Sequence, residues 1–81
     1  MSRYESNDPM INPNHYKKGD LEVIDIIKAC TANLTGIEAT DTGNVLRYIC
    51  RWKEKNGLQD LEKAAWYLQH LINEVKMKGE N

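Results

Sequence analysis

Asn44, Arg47, Tyr48, Arg51 and Lys55 fall at i, i+3, i+4, i+7 and i+11, a spacing that places side chains on one face of a helix. In these residues the 81-residue chain gathers the groups best suited to chemistry. Two arginines one turn apart can each fork onto phosphate oxygens, a lysine adds a mobile point charge, and tyrosine or asparagine can contact a base or sugar. The competing reading is a solvated helix face whose Arg and Lys stems cover apolar neighbours. Asp60, Lys63, Tyr67 and His70 form a second stripe at i, i+3, i+7 and i+10. If it faces the first across a hairpin, Asp60 orients an arginine while Lys63 and Tyr67 complete a polar pocket. If it does not, Asp60 and Lys63 are an exposed ion pair worth a few tenths of a kcal/mol. His70 alone reads as a surface histidine. Nearer the start, Asn12-Pro13-Asn14-His15-Tyr16 offers Tyr16 for stacking on a base and His15 for a phosphate or ribose, or else Tyr16 simply anchors the segment to the core.

Sharper chemistries fail on spacing. There is no GxxxxGK[ST] and no GxGxxG, hence neither a P-loop nor a dinucleotide fingerprint. Cys30, Cys50, His15 and His70 lack the paired spacing of a zinc site. No serine, cysteine or histidine constellation supports nucleophilic catalysis. Glu22 and Asp25 stand at i, i+3 and could hold Mg2+ beside a phosphate, but a lone carboxylate pair is weakly diagnostic.

The elements that must position the two stripes follow from apolar periodicity and turn residues. Residues 1–19 hold both prolines and end in Lys17-Lys18-Gly19, which reads as an extended arm. Residues 20–78 read as a single helical domain and 79–81 as a flexible tail. Asp20 caps a first helix over about Leu21 to Ala32, although Val23–Ile27 also suits a short strand. Thr35 to Thr40 reads as a connection, with Asp41 or Thr42 capping a second helix from about Gly43 to Lys55. That start would leave the N–H groups of Thr42, Gly43 and Asn44 free to meet an anion. Asn56-Gly57 ends the helix, and the third begins almost at once, giving an antiparallel hairpin. Leu58, Leu61, Ala65, Leu68, Ile72 and Val75 then repeat with coiled-coil spacing. Ala64, Trp66 and Leu71 widen the apolar surface beyond what three helices can bury, which predicts self-association through the third helix or the arm. The expected fold is all-α: a small three-helix domain with an extended arm and a long C-terminal helical hairpin, assembled as a homo-oligomer.

Charge narrows the partners. The chain carries 11 basic and 12 acidic residues, too balanced for a protein that coats nucleic acid. Residues 44–57 nonetheless hold four basic residues and one acidic, against four and seven in residues 1–43. A local basic stretch on an acidic body suits a confined anion such as a phosphate. Two cysteines, no leader-like start and no long apolar run predict a reduced, cytoplasmic protein that makes no use of a membrane.

Asn12–Tyr16, Leu21–Ile27, Gly43–Arg51, Lys55–Ala64 and Trp66–Leu68 together resemble, in order, a small bacteriophage domain family of unknown function. The resemblance spans about Asn12 to Ile72. A similar domain occurs in the nucleotide kinase of a short-tailed coliphage, which phosphorylates deoxynucleoside monophosphates without a P-loop. The resemblance implies that His15, Tyr16, Glu22, Asn44, Arg47, Tyr48, Arg51, Lys55, Asp60, Lys63 and Tyr67 are the family's recurring polar positions, and these coincide with the stripes. The resulting expectation is a phage protein, at work in the infected host cell, that binds a nucleotide or cyclic nucleotide. Arg47, Arg51 and Lys55 would neutralise phosphate, Tyr16 and Tyr48 contact the base, and Asn44 and His15 add hydrogen bonds. Being much shorter than the coliphage kinase, the chain would sequester a nucleotide signal of antiviral defence. The alternatives are an oligomeric nucleoside monophosphate kinase using Mg2+ on Glu22 or Asp60, and an interaction module that docks Trp66 and the heptad face on a protein partner.

Overall fold

The computed structural model describes residues 17–18 and 21–79. The fold is all-α, and the described residues form three helices and one minimal strand pair. Strands β1 (Lys17–Lys18) and β2 (Leu21–Glu22) pair antiparallel, with Lys17 opposite Glu22 and Lys18 opposite Leu21. Helix α1 (Val23–Cys30) follows directly. It starts two residues later than apolar spacing predicts because Glu22 is held extended, at φ -90° and ψ 135°, by the strand pairing. Its end is also earlier than expected: Thr31 turns its hydroxyl back to the Ile27 carbonyl at 2.7 Å, closing the last turn before Ala32. Asp20, expected as the cap of this helix, lies outside the described residues.

Helix α2 (Gly36–Arg51) corrects a larger expectation. Thr35 is extended and stands just before the helix, but Gly36 to Thr40 are helical rather than a connection. The density of Thr and Gly suggests a loop, yet the Thr40 hydroxyl bonds the Gly36 carbonyl 3.2 Å away, one turn back. That bond satisfies it inside the helix instead of in a turn. Two consequences follow: Asp41 and Thr42 are interior residues rather than caps, and the N–H groups of residues 42–44 are no longer at a helix start where an anion could meet them. Gly43 instead permits close packing, since a Cβ there would lie 3.3 Å from Cγ2 of Ile27 on α1.

After Arg51 a six-residue turn leads into α3 (Leu58–Met77). Gly57 closes it, donating its N–H to the Trp52 carbonyl at 2.8 Å, with φ 57° and ψ -127°. This conformation is open to glycine and strained for any L side chain. Gly57→Ala is therefore expected to destabilise the protein by about 1–3 kcal/mol, read as a lower denaturation midpoint at unchanged slope. A midpoint equal to wild type would show that the turn relaxes freely.

Helix α2 packs against both α1 and α3, most extensively against α3. Among the described residues the buried ones are Val23, Ala64, Asp41 and Asp60, and the two most completely buried are the carboxylates. Much of the apolar surface stays outside, including Leu58 at 68%, Trp66 at 61% and Leu68 at 46% exposure. Along α3, Asp60, Ala64 and Tyr67 turn toward α2. With about 100° between successive residues, Lys63, Trp66 and His70 lie to one side of that packed face. Leu58, Leu61, Ala65, Leu68 and Ile72 lie to the other. The heptad seam is thus not the internal seam of the hairpin: Leu58, Ala65, Leu68 and Ile72 are solvent-exposed.

Candidate functional site

The two stripes do face each other, through the antiparallel register of the α2–α3 hairpin. Counting outward from Gly57, Arg51 meets Asp60, Tyr48 meets Lys63, and Asp41 meets His70. At the turn end, Arg51 donates from Nε and Nη2 to the two oxygens of Asp60 at 3.2 and 3.3 Å. Asn56 adds its backbone N–H at 3.3 Å and its side-chain amide at 3.2 Å. Asp60 sits in the first turn of α3 and reaches back to a backbone N–H just before the helix, in the manner of a capping carboxylate. Burial by itself pushes its carboxyl up, but the hydrogen bonds from Arg51 and Asn56 and the guanidinium charge outweigh this and hold it below the usual carboxylate value.

Tyr48 is the centre of the site. The Arg51 guanidinium lies 4.8 Å from its ring centroid, that of Arg47 5.3 Å away and the Lys63 ammonium 5.5 Å away. Tyr67 stacks on the same ring at 5.9 Å, tilted by 14°. Ring faces attract cations and thereby hold three positive groups close together despite their mutual repulsion. Asn44 contributes by accepting a 2.7 Å hydrogen bond from Arg47 Nη2. Arg51 is matched by Asp60, but among the described residues Arg47 and Lys63 have no carboxylate within ion-pair distance. The cluster is therefore net positive, and it stays partly open: the Arg51 side chain keeps 25% exposure and three of its five N–H donors are not used on Asp60.

Toward the far end the aromatic surface continues. Trp66 meets Tyr67 edge-on at 5.1 Å and stacks on His70 at 5.2 Å with a 14° tilt. His70 Nδ1 lies 2.6 Å from Oδ2 of the buried Asp41. Sequence reasoning missed this pair, treating Asp41 as a cap and His70 as a surface residue. Its signal was the hairpin register, since the step that joins Arg51 to Asp60, taken ten residues further out on each helix, joins Asp41 to His70.

Asn44, Arg47, Tyr48, Arg51, Asp60, Lys63 and Tyr67 come together as the two stripes imply. Lys55 does not join them: α2 ends at Arg51, and Lys55 is exposed in the following turn. Glu22 stands apart, at the junction of β2 and α1. His15 and Tyr16 lie outside the described residues. Asp60 is unsuited to the Mg2+ role considered for it, because both oxygens already accept hydrogen bonds from Arg51 and Asn56. Among the described residues no group of His, Cys, Asp and Glu is arranged to hold a metal ion. Cys30 and Cys50 are not joined in a disulfide, and no described helix is long and apolar enough to cross a membrane.

No curated protein and no solved structure matches the chain. A family model, described as a protein of unknown function (DUF3310), matches residues 10–69, a span that contains the whole cluster around Tyr48. Since the match covers most of its length, the chain belongs to the DUF3310 family.

Proposed function

We propose that this protein binds a nucleotide through the flank of the α2–α3 hairpin centred on Tyr48. The observation that carries the reading is the convergence of Arg47, Arg51 and Lys63 within 4.8–5.5 Å of one tyrosine ring. One of the three is anchored by a fully buried carboxylate. A phosphate group would replace solvent between Arg47 and Lys63 and take the outward N–H groups of Arg51, in charge-assisted hydrogen bonds. The aromatic surface of Tyr67 and Trp66 offers a face for the base. The resemblance to a phage family points the same way, toward a protein that sequesters a nucleotide or cyclic nucleotide in the infected cell.

A thermal-shift screen against mononucleotides, deoxynucleotides and cyclic nucleotides tests this. A ligand at 100 times its dissociation constant adds about 2.7 kcal/mol, several degrees for a domain of this size. The shift is expected to fall to about half or less in Arg47→Ala and Lys63→Ala; no shift with any nucleotide would refute the reading. Recovery of unchanged ligand after heat denaturation indicates sequestration, whereas phosphoryl transfer from ATP to a deoxynucleoside monophosphate indicates a kinase.

A second observation supports self-association. The strip of exposed Leu58, Ala65, Leu68 and Ile72, with half-buried Leu61, lies on the flank of α3 opposite Lys63 and His70, and its heptad spacing is self-complementary. In an antiparallel pair Leu58 would meet Val75, Leu61 would meet Ile72 and Ala65 would meet Leu68 of a second copy. The ligand-binding flank stays open in that arrangement. Leu68→Glu is expected to halve the mass measured by light scattering at micromolar concentration while leaving nucleotide binding intact. A wild-type protein that is monomeric under these conditions would rule the interface out.

A further inference from the structure

Asp41 and His70 are not used by the cluster around Tyr48, yet they are built to present a charge. Asp41 is 1% exposed, so its carboxylate needs a partner, and His70 supplies one by donating from Nδ1 at 2.6 Å. The imidazole itself keeps 39% exposure, and Trp66 stacked on it sets the plane of the ring. Among the described residues Nε2 has no hydrogen-bond partner. The charged groups around the ring are Asp41 on α2 and Glu74 one turn further along α3, while Glu38, one turn before Asp41, is tied to Lys78 at 3.3 Å. The hydrogen bond to Asp41 raises the histidine's proton affinity, burial opposes it, and the charges of Asp41 and Glu74 reinforce the rise. The imidazolium thus persists above the ordinary histidine value of about 6.5.

Position gives this charge a use. His70 is two helical turns beyond Lys63 on the same flank of α3, about 10 Å along the axis, with Tyr67 between them. We propose that His70 is a second anion-binding group of this flank, so that the ligand carries at least two phosphate groups, one held by Arg47, Arg51 and Lys63 and the other by His70 Nε2–H. Asp41 is the positioning residue: it fixes the tautomer and aims Nε2 outward. The inference rests on the nucleotide-binding reading and narrows it from any phosphate-bearing ligand to one with phosphates at two points. Such a ligand is either an oligophosphate chain or a phosphorylated dinucleotide.

The test uses the whole chain with inorganic phosphate, tripolyphosphate and a 5′-phosphorylated dinucleotide as probes, followed by calorimetry and by imidazole resonances in NMR. Tripolyphosphate, the dinucleotide or both are expected to move the His70 resonances toward the imidazolium and raise its titration midpoint, and the one that does so identifies the source. In His70→Gln the affinity for that probe should fall at least tenfold, while inorganic phosphate binds as in wild type. Asp41→Asn should return the His70 midpoint to the ordinary range and remove the same advantage at pH 7.5. Saturable binding of both larger probes to wild type with the His70 resonances unmoved overturns this inference and leaves the nucleotide-binding reading standing. Failure of all three probes to bind overturns both. The wild-type resonances decide the matter even if a variant fails to fold.

Discussion

Asp60→Ala is expected to lower the melting temperature by more than about 10 °C, more than any other substitution in the hairpin, because it removes the acceptor of a buried ion pair. The carboxylate has no exposed surface and accepts from four donors, two on Arg51 and two on Asn56. Alanine leaves the Asn56 N–H without that acceptor, releases the Arg51 guanidinium and opens a void where α3 begins. Asparagine keeps the volume but turns an NH2 toward groups that are themselves donors, so Asp60→Asn should lose most of the same stability. Lys63→Ala, nearby and exposed, should stay within about 0.5 kcal/mol of wild type. A melting temperature for Asp60→Ala within a degree or two of wild type would mean that the pair contributes nothing net. Acid gives an independent check. With a folded pKa below its unfolded one, Asp60 contributes stability that is complete above the ordinary carboxyl value of about 3.9 and is lost as pH falls through the lower folded value. The acid-induced loss should therefore be shallower in Asp60→Ala.

The second large effect concerns binding. Arg47→Ala and Lys63→Ala are each expected to weaken a phosphate-bearing ligand about 10- to 100-fold, since a charge-assisted hydrogen bond contributes about 1.5–3 kcal/mol and tenfold corresponds to about 1.4 kcal/mol. Neither residue has a carboxylate partner among the described residues, so these variants read the ligand contact without unfolding the hairpin. Arg51→Ala is a poorer probe, because it also strands the buried Asp60 and confounds lost affinity with lost stability. Affinity should weaken as salt rises from 50 to 200 mM, in keeping with screening of exposed charges. Unchanged affinity in both Arg47→Ala and Lys63→Ala would place the ligand elsewhere.

Residue spacing alone determined the all-α class, the hairpin pivoting on Gly57, the start of the third helix close behind it, and the membership of most of the two polar stripes. These are local features: helical period, a turn glycine and charge placement are properties of short segments, and they carry over into the fold except at Lys55, which falls beyond the end of α2. The start of α2 was not legible, because Thr35 to Thr40 has the composition of a turn. Whether Thr40 bonds its own helix or a loop depends on whether that helix has α1 and α3 to pack on. The strand pair was not legible either, because two residues per strand are too few to show an alternating period. Only the tertiary structure decided which face of α3 is inward. Spacing offered two candidate faces, the Leu58–Leu61–Ala65–Leu68–Ile72 seam and the polar stripe, and the packed face carries Asp60, Ala64 and Tyr67. Two buried carboxylates, each bonded to a side chain of the facing helix, set that rotation, since a charge removed from water must meet its partner. The same rotation puts His70 on Asp41 and turns the apolar seam outward, an outcome that depends on residues 29 positions apart and is therefore absent from any single segment.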